Sequence, residues 1–358
     1  MIVGFNNKKY SQQIDRYRVL ALQSRTDAVN QLSPSEARSS MLATIKRIHG
    51  NIKAANAFLG GDLKLVVLPE YFLTGYPMGD SVDSWREKAA IASDGVEYEN
   101  LSEVASENKI YLSGNVYETD PNFPNIYFQT SFLIDSSGDL ILRYRRLHSL
   151  FSPSPWDFWD RYVDLYGIEA VFPVARTEIG NIAMIASEEI QYPELARALA
   201  LRGAEVFCHS TSEVGSTMLT QKDVAKRARA WENSNYVISA NSGGLYGANV
   251  PANSTDGMSK IVDYNGLTLI EAGFGESMVA NTLLDLEGLR LAKKKPGMGN
   301  LLARTKTELW SQEYARHRVD SPNGLLGNNA ADRSYFLSHH QESIANLNHS
   351  STTEQGTK

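Results

Sequence analysis

Short apolar runs recur as far as about residue 240 with helical stretches between them, and this alternation limits the fold more than any other feature. YRVLALQ (17–23), LKLVVLP (63–69), IYLSGNV (110–116), NIAMIA (181–186), AEVFCHS (204–210) and YVISAN (236–241) each have the length of a buried strand. The clearest helix lies between the first two. Met41, Ile45, Ile48, Ile52, Ala55 and Leu59 step by four, three, four, three and four, one face of a 3.6-residue helix. Ser33 is placed to cap it, Pro34 suits its first position, Glu36 completes a capping box, and Gly60 and Gly61 end it. The stretch between, SRTDAVNQL, reads as a loop. Further helices are expected over Val96 to Glu107, from Pro193 to a stop at Gly203, and from Thr220 to Asn233, where Thr220 and Asp223 form a capping pair. Ser136-Ser137-Gly138 and Asn265-Gly266 mark hairpins, and VANTLLDL is a last strand. Strands alternating with helices, with hairpins interleaved, predict an α/β fold of mixed sheets covered by helices.

The chain has 358 residues, ample for a sizeable core, and neither a short-period repeat nor a linker divides it. We expect a polar, flexible arm over residues 1–16, one domain over 17–300, and an extension over 301–358 whose end, NLNHSSTTEQGTK, is disordered. Lys and Arg number 35 against 41 Asp and Glu, a formal charge of −6 with no basic run, which makes nucleic acid a poor partner. A single cysteine, Cys208, excludes an intrachain disulfide and a Cys-rich zinc site. The start, MIVGFNNKKYSQQ, holds no apolar core of signal-peptide length, and no uncharged apolar run approaches the roughly 20 residues of a membrane helix. The expected setting is the cytoplasm, away from membrane.

Several segments, taken in order, carry a resemblance. LVVLPEYFLTGYP (65–77) is similar to the strand–PE–GYP segment of the carbon–nitrogen hydrolase (nitrilase and amidase) superfamily, and RYRRLH (143–148) to its Y-R-K-x-H segment. IAMIASEEIQYPELARALALRGAEV (182–206) resembles its strand–Cys–aromatic–acid–x–x–F-P-E segment. RARAWENSNYVISAN (227–241) and GMSKIVDYNG (257–266) look like its R-x-R-A-x-E-N helix and G-x-S-x-I hairpin. The resemblance implies a four-layer α-β-β-α sandwich, a small-molecule substrate, no metal or organic cofactor, and pairing of two chains through helices. For that pairing we single out the stripe Leu195, Ala196, Leu199 and Ala200, and expect a homodimer or larger even assembly.

The site residues implied depart from the family pattern. Glu70 matches the general base, but Ser187 stands at the nucleophilic Cys, Arg146 at the catalytic Lys, and Asp160 near the place of a second Glu. Asp160, Glu188, Tyr76 and Tyr192 are the expected substrate contacts, with Trp156 in SPWDFWDRY near the mouth. Glu70, Arg146 and Ser187 should converge within about 6 Å, close enough for charge coupling. A thiol is easily activated beside a cation, whereas an alcohol is a far weaker acid and a lone carboxylate is poorly matched to it. Serine hydrolases use His or Lys as base. Arg146 keeps a positive charge for an oxyanion or a substrate carboxylate but cannot shuttle a proton. On that reading Ser187→Cys should raise activity and Arg146→Lys should add to it. His148 and His209 read as hydrogen-bonded structural residues, and Cys208, mid-strand, as packing. The functions left open are an amidase-like enzyme with an altered Glu-Arg-Ser site, an inactive pseudoenzyme serving as a binding or assembly subunit, and a Cys-to-Ser variant that traps substrate.

Overall fold

A computed structural model describes residues 13–327 and 330–353. In order these form β1 (Tyr17–Ala21), β2 (Thr26–Asp27), α1 (Pro34–Leu59), β3 (Leu63–Val67), α2 (Val82–Ala89), α3 (Val96–Asn108), β4 (Tyr111–Thr119), β5 (Tyr127–Ile134), β6 (Leu140–Arg145), α4 (Trp159–Tyr166), β7 (Ala175–Thr177), β8 (Gly180–Ala186), α5 (Pro193–Leu201), β9 (Val206–Ser210), α6 (Gln221–Asn233), β10 (Tyr236–Ala240), β11 (Leu245–Tyr246), β12 (Lys260–Val262), β13 (Thr268–Glu271), β14 (Asn281–Leu284), α7 (Leu286–Lys294), α8 (Thr307–Tyr314) and α9 (Arg333–Thr353).

Two six-stranded mixed sheets, ordered β14-β1-β3-β4-β5-β6 and β13-β12-β10-β9-β8-β7, pack face to face. Period-two alternation builds both faces of the first sheet from the same strands. Val19, Ala21, Leu65 and Val67 point toward the second sheet, while Leu20, Leu22, Val66 and Leu68 point outward onto Met41, Ile45, Ile48 and Ile52 of α1. Helices α5 and α6 cover the second sheet. The fold is the expected four-layer α-β-β-α sandwich.

The capping signals around α1 are realised: Ser33 and Glu36 form the reciprocal box, and Gly60 closes the helix at φ +101°. Thr220 and Asp223 do the same for α6. The stripe singled out for dimerisation is a correction. Leu195, Ala196, Leu199 and Ala200 are buried inside their own chain, so they are not available to a second copy.

Other departures follow from tertiary pairing. The loop at SRTDAVNQL contains β2, which pairs with the equally short β11. Most of the arm expected over residues 1–16 lies outside the described residues, but Ile14 packs on the inter-sheet core and Arg16 pairs with Asp285 at 2.6 Å. The polar end expected to be disordered is helical through Thr353, with residues 354–358 outside the described part.

Candidate active site

Three strand ends deliver the candidate residues to one cavity of about 1600 Å³. Glu70 follows β3, Arg146 follows β6 and Ser187 follows β8; their exposures are 2%, 7% and 4%, and all three line the cavity. The two sheets are tied together at this end. Ser210 Oγ donates to the Leu68 carbonyl at 2.7 Å, and the Glu70 N–H to the Thr211 carbonyl at 3.2 Å. Ser187 holds φ +46°, a left-handed conformation uncommon for a residue with a Cβ, at the sharp change from β8 to a short 3-10 turn. The imidazole of His209 supports that turn, with Nε2 at 2.8 Å from the Ser187 carbonyl and Nδ1 at 2.8 Å from Ser239 Oγ. Burial, aided by Lys226, pushes His209 down to about 3, so it is neutral and structural.

Arg146 is engaged on every side. Its Nη1 donates to Glu70 Oε1 at 3.0 Å, Gln129 Oε1 at 2.9 Å and the Tyr71 hydroxyl at 3.2 Å. Its Nη2 donates to Glu188, and its Nε to the His148 carbonyl at 2.6 Å. Burial works against this charge, but Tyr71, Glu70, Glu188 and Glu189 outweigh it and hold the guanidinium protonated. Burial also pushes the Glu70 carboxyl up from its usual range, opposed by Arg146, Lys222 and the hydroxyls of Ser187 and Tyr71.

Two participants escape the sequence reading. Glu189, fully buried, accepts from the Leu147 and His148 N–H groups at 2.9 and 3.0 Å and from the Tyr144 hydroxyl at 2.8 Å, fixing the RRLH segment against the turn after Ser187. Lys222, in the first turn of α6, donates from Nζ to Ser187 Oγ at 3.2 Å and to Thr211 Oγ1 at 3.3 Å. The only sequence signal for it is its place beside the capping pair, where a cation meets the positive end of the helix dipole.

Tyr76 and Glu188 line the cavity as expected contacts. Asp160 and Tyr192 do not, and both assignments are corrected. Asp160 is exposed in the first turn of α4, its N–H bonded to Asn323 Oδ1 at 2.9 Å, while neighbouring Phe158 and Arg161 face the cavity. Tyr192 turns outward and stacks on His148 at 4.0 Å. Trp156 also lies off the lining; its carbonyl accepts from the Asn323 N–H at 2.9 Å. Burial pushes the Cys208 thiol up to about 12, in keeping with its packing role. The extension contributes to the cavity wall. Leu325, Leu326 and Phe336 line the cavity, and Tyr335 anchors the segment by donating to Asp157 Oδ1 at 2.9 Å.

An acid, a hydroxyl on a strained strand-end turn and two cations thus meet at one end of a two-sheet sandwich. The carbon-nitrogen hydrolase family model matches residues 28–294, and the chain belongs to that family. A formamidase of Bacillus cereus (strain AH820) is 28% identical over 242 residues, 66% of this chain; the match spans 66% of that relative's own length. Among solved structures, Nit3 of Saccharomyces cerevisiae, a member of branch 10 of the nitrilase superfamily, is similar at TM-score 0.61 and 24% identity, over 78% of this chain and 93% of that one. A carbon-nitrogen hydrolase from Helicobacter pylori G27 gives TM-score 0.63 at 17% identity, over 85% and 100%. An amidase from Nesterenkonia sp. gives 0.57 at 20%, over 83% and 96%.

Proposed function

We propose that the protein hydrolyses an amide-type C–N bond of a small molecule through an acyl intermediate on Ser187. The observation that carries this reading is the setting of Ser187 Oγ, presented into the cavity by a strained turn with the Lys222 nitrogen 3.2 Å away. Glu70 and Arg146 form the fixed charged wall beside it, and Glu188 and Tyr76 contact the substrate. The cavity of about 1600 Å³ exceeds the 300–1,000 Å³ common for drug-sized ligands. It therefore suits an amide with a large acyl or amine part rather than formamide. Tyr127, Phe151 and Phe158 on its wall favour an apolar part. The expected result is release of amine or ammonia from bulky amides, with an acyl mass on the Ser187 peptide, and neither in Ser187→Ala. Equal behaviour of the two proteins on amides and activated esters would sink the reading. It would favour the binding-protein alternative, which has one observation of its own: Arg146 is committed to protein acceptors on all sides.

We also propose an even homo-oligomer, now through the outer faces of α5 and α6. Leu201, Val224 and Trp231 are 52%, 51% and 49% exposed there. Light scattering should give a dimer or larger even assembly, and Trp231→Glu should shift it toward monomer; a wild-type monomer at micromolar concentration would refute this.

A further inference from the structure

We propose that Lys222 is the proton-transfer group for Ser187, so that the reacting pair is a serine and a lysine from different elements; this rests on the acyl-intermediate reading above. Lys222 Nζ lies 3.2 Å from Ser187 Oγ, inside hydrogen-bond reach of the proton to be moved. Thr211 Oγ1, at 3.3 Å, holds the amine from the other side, and both Lys222 and Ser187 line the cavity. The other bases near the turn suit the step less well. Glu70 also meets the Ser187 hydroxyl, but it is a carboxylate, poorly matched to an alcohol, and its Oε1 is held by Arg146 at 3.0 Å; His209 bonds the Ser187 carbonyl through Nε2 and Ser239 through Nδ1. Lys222 also answers the chemical mismatch at this site, since an amine suits a serine nucleophile better than a carboxylate does. Its position in the first turn of α6 runs against the helix dipole, so helix stability does not account for a cation there.

The step balances within these groups. Lys222, having lost a proton to solvent, takes the Oγ–H proton as Oγ bonds to the amide carbon and the carbonyl electron pair moves to oxygen. As that pair returns and the C–N bond breaks, the Lys222 ammonium passes the proton to the departing nitrogen. Water then adds to the ester carbon while Lys222 takes its proton. The C–Oγ bond breaks, and Lys222 returns the proton to Oγ. The sum is amide plus water giving acid plus amine.

The groups that face Lys222 are Glu70 from the end of β3, His209 from β9 and Glu213 from the loop after it, with Asp223 and Lys226 on its own helix. A pH profile alone could belong to any of them, so the test compares variants. The full chain is treated with a fluorophosphonate, which phosphonylates a reactive serine and releases fluoride, and labelling is followed by intact mass from pH 6 to 10. Wild type should label faster as pH rises, and Ser187→Ala should not label. Lys222→Met should label about 100-fold more slowly and lose the pH rise, within the range expected for one acid–base group. Lys222→Arg should behave like Lys222→Met, because a guanidinium keeps the charge but does not give up its proton. Unfolding midpoints check that half-buried Lys222 can be replaced without loss of the fold. A Lys222→Arg variant that labels within threefold of wild type overturns the proposal in favour of a purely electrostatic lysine, and a Lys222→Met variant that does so overturns it by showing that Lys222 serves Ser187 neither as base nor as charge. Wild type that labels no more than Ser187→Ala overturns both this proposal and the acyl-intermediate reading.

Discussion

Replacing Arg146 with methionine is expected to lower the unfolding free energy by about 3–5 kcal/mol, the cost of stranding a buried charge when its partner is removed. Arg146 and Glu70 are 7% and 2% exposed, and their contact at 3.0 Å is the centre of a network that also holds Gln129, Tyr71, Glu188 and the His148 carbonyl. In Arg146→Met the Glu70 carboxylate loses its nearest counter-charge and must be buried unpaired or take up a proton. Removing both charges, as Glu70→Leu with Arg146→Met, should recover more than about 1 kcal/mol, because a buried pair replaced by apolar groups is often nearly neutral. Urea unfolding followed by tryptophan fluorescence measures both. A single variant within about 0.5 kcal/mol of wild type, the range of ordinary surface substitutions, would show that Arg146 is not a structural clamp.

The saturation of Arg146 also decides what the sequence could reveal about the site. A motif position states residue type and order, so Glu70, Arg146 and Ser187 were legible as the residues at three strand ends. Whether a guanidinium at such an end is free for an oxyanion depends on acceptors from β5, the SEEI turn and its own segment. Those partners meet only in the folded chain. Lys222 was hidden for the same reason. QKDVAK reads as an ordinary polar helix start, and its contact with Ser187 is made across 35 positions of sequence by the packing of α6 on the second sheet. Local signals did better. The four-three stepping and the Ser33–Glu36 box located α1 because cap and stripe are written in adjacent residues. The stripe on α5 was legible as apolar, but an apolar stripe serves a partner or the chain's own core equally well, and here the core takes it. Asp160 failed through a small offset: the cavity-facing positions here belong to Phe158, just before α4, and to Arg161 on it.

Ser187→Cys is expected to raise the rate of acylation by activated esters and amides, by something on the order of 100-fold, since a thiol reaches its anion far more readily than an alcohol. The site is already arranged for it. Oγ has an ammonium at 3.2 Å, and a cation at that distance favours a thiolate. The gain should therefore depend on Lys222, and Lys222→Met in the same chain should remove most of it. Arg146→Lys, which the motif alone suggests as a second improvement, should now do the opposite. A lysine offers one nitrogen where the guanidinium spreads its donors among Glu70, Glu188, Gln129, Tyr71 and the His148 carbonyl, so several buried acceptors lose their donor. The double variant Ser187→Cys with Arg146→Lys is expected to acylate at least about tenfold more slowly than Ser187→Cys alone and to unfold at lower urea, a non-additive pair because both residues bear on one network. Burst kinetics with an activated ester, with the thioester adduct on the introduced thiol sought by intact mass, separate the cases. A double variant faster than the single one would mean that the lysine at the motif position, and not Lys222, is the cation this chemistry uses.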